Sequence, residues 1–205
     1  MRNIARLAKW ALVSGFALIG TGIASLAATA GNLDAHLRGS YAFTTARTCT
    51  NSSSAIVPPS YAVGPAGVFR QASSDKGILT FNGDGTGSSV GTSSTMDISA
   101  PSGPLVTVST FTSTFDYTVN PDGTVDLTTT SNPFESIFGR GAGDTGTVSG
   151  QTGRLQISHG NTMLVSAPSG TFSVETVTIF PASGGTVTRY RICVRSATAS
   201  KLPGG

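Results

Sequence analysis

The sequence is poor in the residues that usually carry chemistry. It holds two cysteines, Cys49 and Cys193, two histidines, His36 and His159, and one tryptophan, Trp10. Two isolated histidines and no paired cysteines give no zinc ligand set, so no metal is expected. A C-x-x-C redox motif is absent, and so is the G-x-S-x-G elbow of a nucleophilic hydrolase. His159 sits in the turn-like "ISHGN" and reads as an exposed turn residue; His36 stands near the start of the mature chain. With Trp10 alone and no aromatic-rich loop, a stacking platform for sugars has no basis. Charge is scarce at 11% of residues, and ten scattered acids offer no recognisable carboxylate pair for glycoside hydrolysis. No catalytic residue and no cofactor are expected.

Long apolar runs are also missing, except at the N-terminus. There "MRNIARLAKW" carries Arg2, Arg6 and Lys9, an uncharged run "ALVSGFALIGTGIASLA" follows, and Ala28–Thr29–Ala30 closes it. A basic start, an apolar middle and an A-x-A site describe a secretory signal peptide over 1–30, with cleavage before Gly31. No cysteine follows the small residues, so a lipid anchor has no attachment point. The leader also distorts the charge balance. It holds three of the 13 Lys+Arg and none of the 10 Asp+Glu, so ten bases face ten acids in the remainder. The sequence pI of about 9.1 reflects the leader. No nucleic-acid partner and no stable membrane insertion are expected of the mature chain, and its place is periplasmic or extracellular.

What is present in quantity is Thr, Ser, Gly and Val, the composition of a secreted all-β domain over 31–205. Short apolar runs alternate with turn residues, predicting strands near 39–49, 66–72, 77–82, 86–98, 104–119, 124–130, 144–150, 154–158, 161–167, 171–180 and 186–195. In "LVTVSTFTSTFDYTVN" the odd positions Leu105, Phe111, Phe115, Tyr117 and Val119 share one face and a row of threonines the other. Nothing resembles a βαβ alternation. The expectation is an antiparallel, hairpin-connected up-and-down β-barrel, with a β-sandwich as the alternative. Lipid-facing bands and aromatic girdles are missing, which argues against an outer-membrane barrel. In "SNPFESIFGRG", Asn132 can cap, Pro133 suits a first helical position and Gly139 can terminate. One short helical turn is therefore predicted near 132–138, showing Phe134, Ile137 and Phe138 to the core or to a cavity.

"TFNGDGTG" (80–87) suggests a calcium loop until its echo "TVNPDGTV" (118–125) is placed beside it. Thr, Asn, Asp, Gly and Thr recur in register, with Gly83 replaced by Pro121. Position one of an EF-hand loop would be Thr80 or Thr118 and position twelve Gly91 or Thr129, so both ends lack their carboxylate. The repeat predicts two type I turns, each followed by a left-handed glycine that starts the next strand.

Two cysteines in an oxidising compartment predict a Cys49–Cys193 disulfide that ties the first strand to the last. Around it, Arg189, Arg191 and Arg195 share a face in "TVTRYRICVRS", and Arg47 precedes Cys49 by two. An antiparallel pairing sets Arg47 opposite Arg195; a parallel one sets it opposite Arg191. Like charges then face each other, which costs stability unless an anion or a carboxylate intervenes. The four arginines either fan into solvent and pair with acids such as Glu175 or Asp144, or form an anion patch.

Gly39–Ser40–Tyr41 on the first strand, with an arginine-bearing last strand, is similar to the lipocalin and calycin arrangement, with Tyr in place of its Trp. "LRGSYAF", "GILTFNGDGTGSS" and "FDYTVNPDGTVDLT" together resemble exported bacterial β-barrel-like proteins carrying G-x-Y-x-F and T-F-x-G-x-G signatures. That resemblance implies a secreted barrel and brings no activity or site residues. The expected function is an exported, non-enzymatic barrel binding a small apolar or amphipathic ligand inside. Its inward aromatics would be Phe43, Phe81, Phe111, Phe115 and Tyr117, joined by Phe134 and Phe138. The alternatives are a filled barrel with a structural or surface-interaction role, and a small barrel enzyme of cyclase or isomerase type.

Overall fold

A computed structural model describes residues 33–57, 60–63, 68–99, 105–158, 160, 162–166 and 171–204. The expected signal peptide at 1–30 lies outside them. A 3-10 turn, Leu33–His36, is followed by eleven strands among the described residues. These are β1 Arg38–Ser52, β2 Phe69–Asn82, β3 Thr86–Asp97, β4 Leu105–Val119, β5 Thr124–Ser131, β6 Pro133–Gly139, β7 Thr145–Ser149, β8 Thr152–Ser158, β9 Met163–Ser166, β10 Thr171–Phe180 and β11 Val187–Lys201.

Register reduces eleven strands to eight runs. The β4 strand pairs with β5 near Val119 and with β6 near Val108, so β5 and β6 form one run interrupted at Asn132. The next run is β7 with β8, which pair with β6 and β5 in turn. Strands β9 and β10 both pair with β11 and form the seventh. Every neighbour is antiparallel and consecutive, and β1 pairs with β11 from Tyr41↔Lys201 to Ser52↔Tyr190. This is the closed up-and-down barrel, not the sandwich. Closure leaves no sheet edge to protect.

The helical turn expected near 132–138 is instead strand β6, with Phe111 facing Phe134 across the ladder. Pro133 opens that strand at the Asn132 interruption, a strand-start position that proline tolerates. The long neighbour β4 offers a ladder that a single helical turn cannot match. Capping signals yielded to sheet pairing. Ile137 and Phe138 point outward, 53% and 65% exposed. The runs predicted at 66–72 and 77–82 join as β2, because the polar "SSDK" between them alternates faces like any strand.

The two echoed turns share one device. Asp84 Oδ1 accepts the N–H and hydroxyl of Thr86, at 2.9 and 2.7 Å, and Asp122 does the same for Thr124. These bonds hold both carboxyls below the usual aspartate range. The backbones differ, however. Asn120 O accepts the Gly123 N–H at 2.9 Å, as a type I turn requires, with Gly123 at φ 77°. Gly83 has φ 85°, a value closed to proline, so the first copy is not type I. Its N–H is turned onto the Tyr117 hydroxyl, 3.0 Å away.

One end of the barrel is filled. Tyr41, Phe81, Phe115 and Tyr117 stack edge to face, with centroids 5.0–5.5 Å apart around Phe81. Leu37, fully buried, closes that end beneath the 3-10 turn. Tyr117 donates its hydroxyl to Leu37 O at 2.9 Å, and Asp34 Oδ1 accepts the Val119 N–H at 2.6 Å. The stopper is thus the N-terminal turn rather than 132–138.

Above this floor runs a belt built from two residue types. One lateral lap passes Phe43, Gly77, Gly91, Phe111, Phe134 and Gly146 before reaching Ile179 and Val187. Because Tyr190 faces Ser52, the lap has climbed about a dozen residues along β1, as strongly tilted strands must. Each phenylalanine of the belt adjoins a glycine, and two inward positions below, beyond Ser113 and Ser89, Phe115 faces Gly87. A Cβ on Gly91 would lie 2.9 Å from Phe111 Cζ, and one on Gly146 2.5 Å from Phe134 Cζ. The rings therefore lie back against the wall and leave the axis open. At Gly87 a Cβ would overlap the Phe115 ring and sit 2.6 Å from Thr80 O. Gly87→Ala is expected to cost about 2 kcal/mol of unfolding free energy in a urea titration, by overpacking. A cost below about 0.5 kcal/mol would show that the ring yields freely.

Candidate functional site

Above the belt the barrel interior becomes polar and open, enclosing a cavity of about 350 Å³. Phe43, Phe111, Phe115 and Phe134 line it. Phe81 and Tyr117 belong instead to the packed floor beneath, and Phe138 faces away from the barrel. The apolar base thus comes from β1, β4 and β6.

One wall is ionic. Cys49 and Cys193 are direct cross-strand partners on the inner face and form the expected disulfide. One step to either side, Arg47 faces Arg195 and Asn51 faces Arg191. The antiparallel alternative holds, and the carboxylate that intervenes is Glu175 from β10, with no exposed surface. Arg191 grips Glu175 Oε2 with Nε at 2.8 Å and Nη2 at 2.7 Å. Arg195 Nη2 and the Ser173 hydroxyl both donate to Oε1. Arg47 Nη1 lies farther off, 3.8 Å from Oε2, and Nη2 is 3.7 Å from Asp75. Its Nε donates to Ser73 at 2.9 Å.

Burial alone would raise the Glu175 carboxyl, but Arg191, Arg195, Arg47 and the Ser173 hydroxyl outweigh it and bring it down to about 2. Burial and the neighbouring Arg47 pull Arg191 to about 10, with Glu175 opposing. Arg189, the fourth arginine, stands apart: its guanidinium sits 5.1 Å from the Phe69 ring centroid, and burial lowers it below its ordinary value.

The facing wall is neutral and hydroxylic. Ser89 and Ser113 share a 2.5 Å hydrogen bond, and Ser109 meets Ser136 at 3.3 Å. Asn132 Nδ2 donates to Gln151 Oε1 at 2.5 Å, joining the interruptions of two adjacent runs. These residues, with Asp75, were not singled out from sequence. For the serines and Asp75 the signal is the period of two itself, since they occupy inward positions of strands that also carry inward aromatics. Asn132 and Gln151 stand at breaks between strands.

His36 ends the stopper turn at the opposite end from the cavity. His159 lies outside the described residues. No cluster of three or more His, Cys, Asp or Glu suited to a metal occurs among the described residues. The cavity can hold a molecule with an apolar part on the rings, an anionic or polar head on the arginines, and hydroxyls opposite. No helix among the described residues is long and apolar enough to cross a membrane. The outer wall carries threonines with Lys76, Asp116 and the exposed Arg154–Asp126 pair.

No protein-family profile matches the sequence, and no curated protein does. Among solved structures, the crystal structure of Neisserial surface protein A (NspA) is similar at 10% identity and a TM-score of 0.49, over 80% of this chain and 97% of that one. The functional reading rests on the cavity and the residues around it.

Proposed function

We propose that the protein is an exported, non-enzymatic barrel that holds one small amphipathic molecule in its open half. The observation that carries this reading is the cavity of about 350 Å³ above a packed aromatic floor. That volume lies at the small end of ligand pockets, and eight-stranded barrels have interiors of the size that takes one such ligand. The lower half fits the filled-barrel alternative, but a purely structural barrel has no need of a second, polar half with three arginines inside. Glu175, held low by its arginines, serves here as a structural counter-ion and not as an acid–base group.

Export rests on the basic, apolar and A-x-A pattern of residues 1–30 and agrees with the disulfide. The outer wall mixes threonines and charged side chains with exposed apolar ones such as Val90, Phe138, Phe172 and Val194. The proposed location of the mature chain is the periplasm or the medium, without membrane insertion. Native mass spectrometry of the protein recovered from the exporting cell tests both parts. The expected result is a chain beginning at Gly31 that carries an added small-molecule mass, lost on denaturation. A bare polypeptide mass overturns the binding reading, and a chain beginning at Met1 overturns the leader.

A further inference from the structure

The ionic wall contains more cation than its carboxylates satisfy. Arg47, Arg191 and Arg195 face Glu175 and Asp75, three cations against two anions. At the mouth Arg140 and Arg189 equal Asp97 and Asp144 in number and Arg154 pairs with Asp126, so the excess of formal positive charge stays at the wall. The hydrogen bonds are uneven as well. Arg191 holds Glu175 through Nε and Nη2, whereas the terminal nitrogens of Arg47 reach their carboxylates only at 3.7 and 3.8 Å, beyond hydrogen-bond range. Arg47 is nevertheless about nine-tenths buried and lines the cavity. Arg195 Nε is buried with no hydrogen-bond partner, and so is Asp75 Oδ1. Buried polar atoms left in this condition, the Arg195 donor and the Asp75 acceptor alike, are costly, and a planar guanidinium pairs best with a carboxylate.

We infer that the cross-strand pair Arg47 and Arg195 forms the head-group site of the cavity, taking the carboxylate of a monoanionic amphiphile whose apolar chain lies on Phe43, Phe111 and Phe115. This rests on the ligand-binding reading above and gives it a chemical class. One negative charge matches the one uncompensated cation. The hydroxyls of Ser89, Ser93 and Ser113 also line the cavity and offer partners to further polar atoms of such a ligand.

Decanoate and decanol, equal in chain length and different in charge, separate this inference from its premise. In isothermal titration calorimetry of the folded protein, decanoate is expected to bind at least tenfold more tightly than decanol. Arg47→Gln should erase that preference while leaving decanol unchanged. Asp75→Asn is nearly isosteric and removes a competing negative charge; it should tighten decanoate several-fold. Equal affinities for the two probes, with both variants inert, overturn the head-group site and leave the cavity reading standing. Failure of both probes to bind overturns the cavity reading and this inference together. Thermal unfolding of each variant, followed by circular dichroism, confirms that the comparison is made between folded proteins.

Discussion

Replacing both cysteines with alanine is expected to lower the stability of the barrel by about 5 kcal/mol, on the chain-entropy account of a cross-link spanning 144 residues. The bridge sits on the seam where the first strand meets the last, so it constrains nearly the whole chain in the unfolded state. Cys49 and Cys193 are 1% and 0% exposed, and the alanines add a small packing loss. The measurement is urea unfolding with and without the substitutions. The entropic account also predicts a larger denaturant slope in the variant, because its unfolded chain is released to expose more surface. A loss below about 1 kcal/mol would show that the β1–β11 ladder alone holds the seam and that the bridge is incidental.

The second large effect belongs to Glu175. Removing it as Glu175→Ala leaves Arg191 and Arg195 buried without their partner, a change that costs roughly 3–5 kcal/mol when a buried pair is broken from one side. The contrast is Asp126→Ala at the exposed Arg154 pair, expected to cost under about 1 kcal/mol. Both are read by chemical denaturation at neutral pH. The pH dependence has a definite sign. Glu175 has an ordinary value of 4.5 and a folded value of about 2, so the unfolded state binds the proton first as the solution is acidified. Its contribution is therefore complete above about 4.5 and is lost as pH falls through about 2, amounting to roughly 3 kcal/mol over that window. Glu175→Ala should flatten this part of the acid stability profile. A wild-type profile already flat between those limits would mean that the three arginines do not hold the carboxylate as the geometry implies.

The fold was legible in the sequence because its turns are explicit. Asn-x-Asp-Gly-Thr occurs twice with strand residues on either side, and both copies do join adjacent antiparallel strands. The cysteine pair likewise named the two strands that close the barrel. The segment 132–138 was misleading because asparagine, proline and glycine spell a helix cap and a bulged strand with the same letters. Only the presence of β4 alongside decides between them.

The site was half legible, for a different reason. Alternation reveals which residues share a face, not which face is inside. Below the belt, aromatics and threonines separate cleanly and the inward face is obvious. Above it, Ser93 points in and Ser94 points out, and the sequence gives no contrast between them. The arginines could be placed on one face of the last strand. That Glu175, two residues from Ser173 and Val177, stands opposite them depends on the register of β10 against β11, which only pairing across the turn establishes.

Because β1 borders β11, the barrel cannot close while the chain is still emerging. Residues 38–52 must wait, with one side of their backbone exposed, until residues 187–201 arrive. Pairings this distant in sequence make for slow folding, and a waiting strand edge invites association with other chains. The composition limits the hazard. With a single pair of cysteines there is no wrong intramolecular disulfide to form, so oxidation can occur only once the final strand has been delivered. The covalent bond thus records one event, the meeting of the first strand with the last.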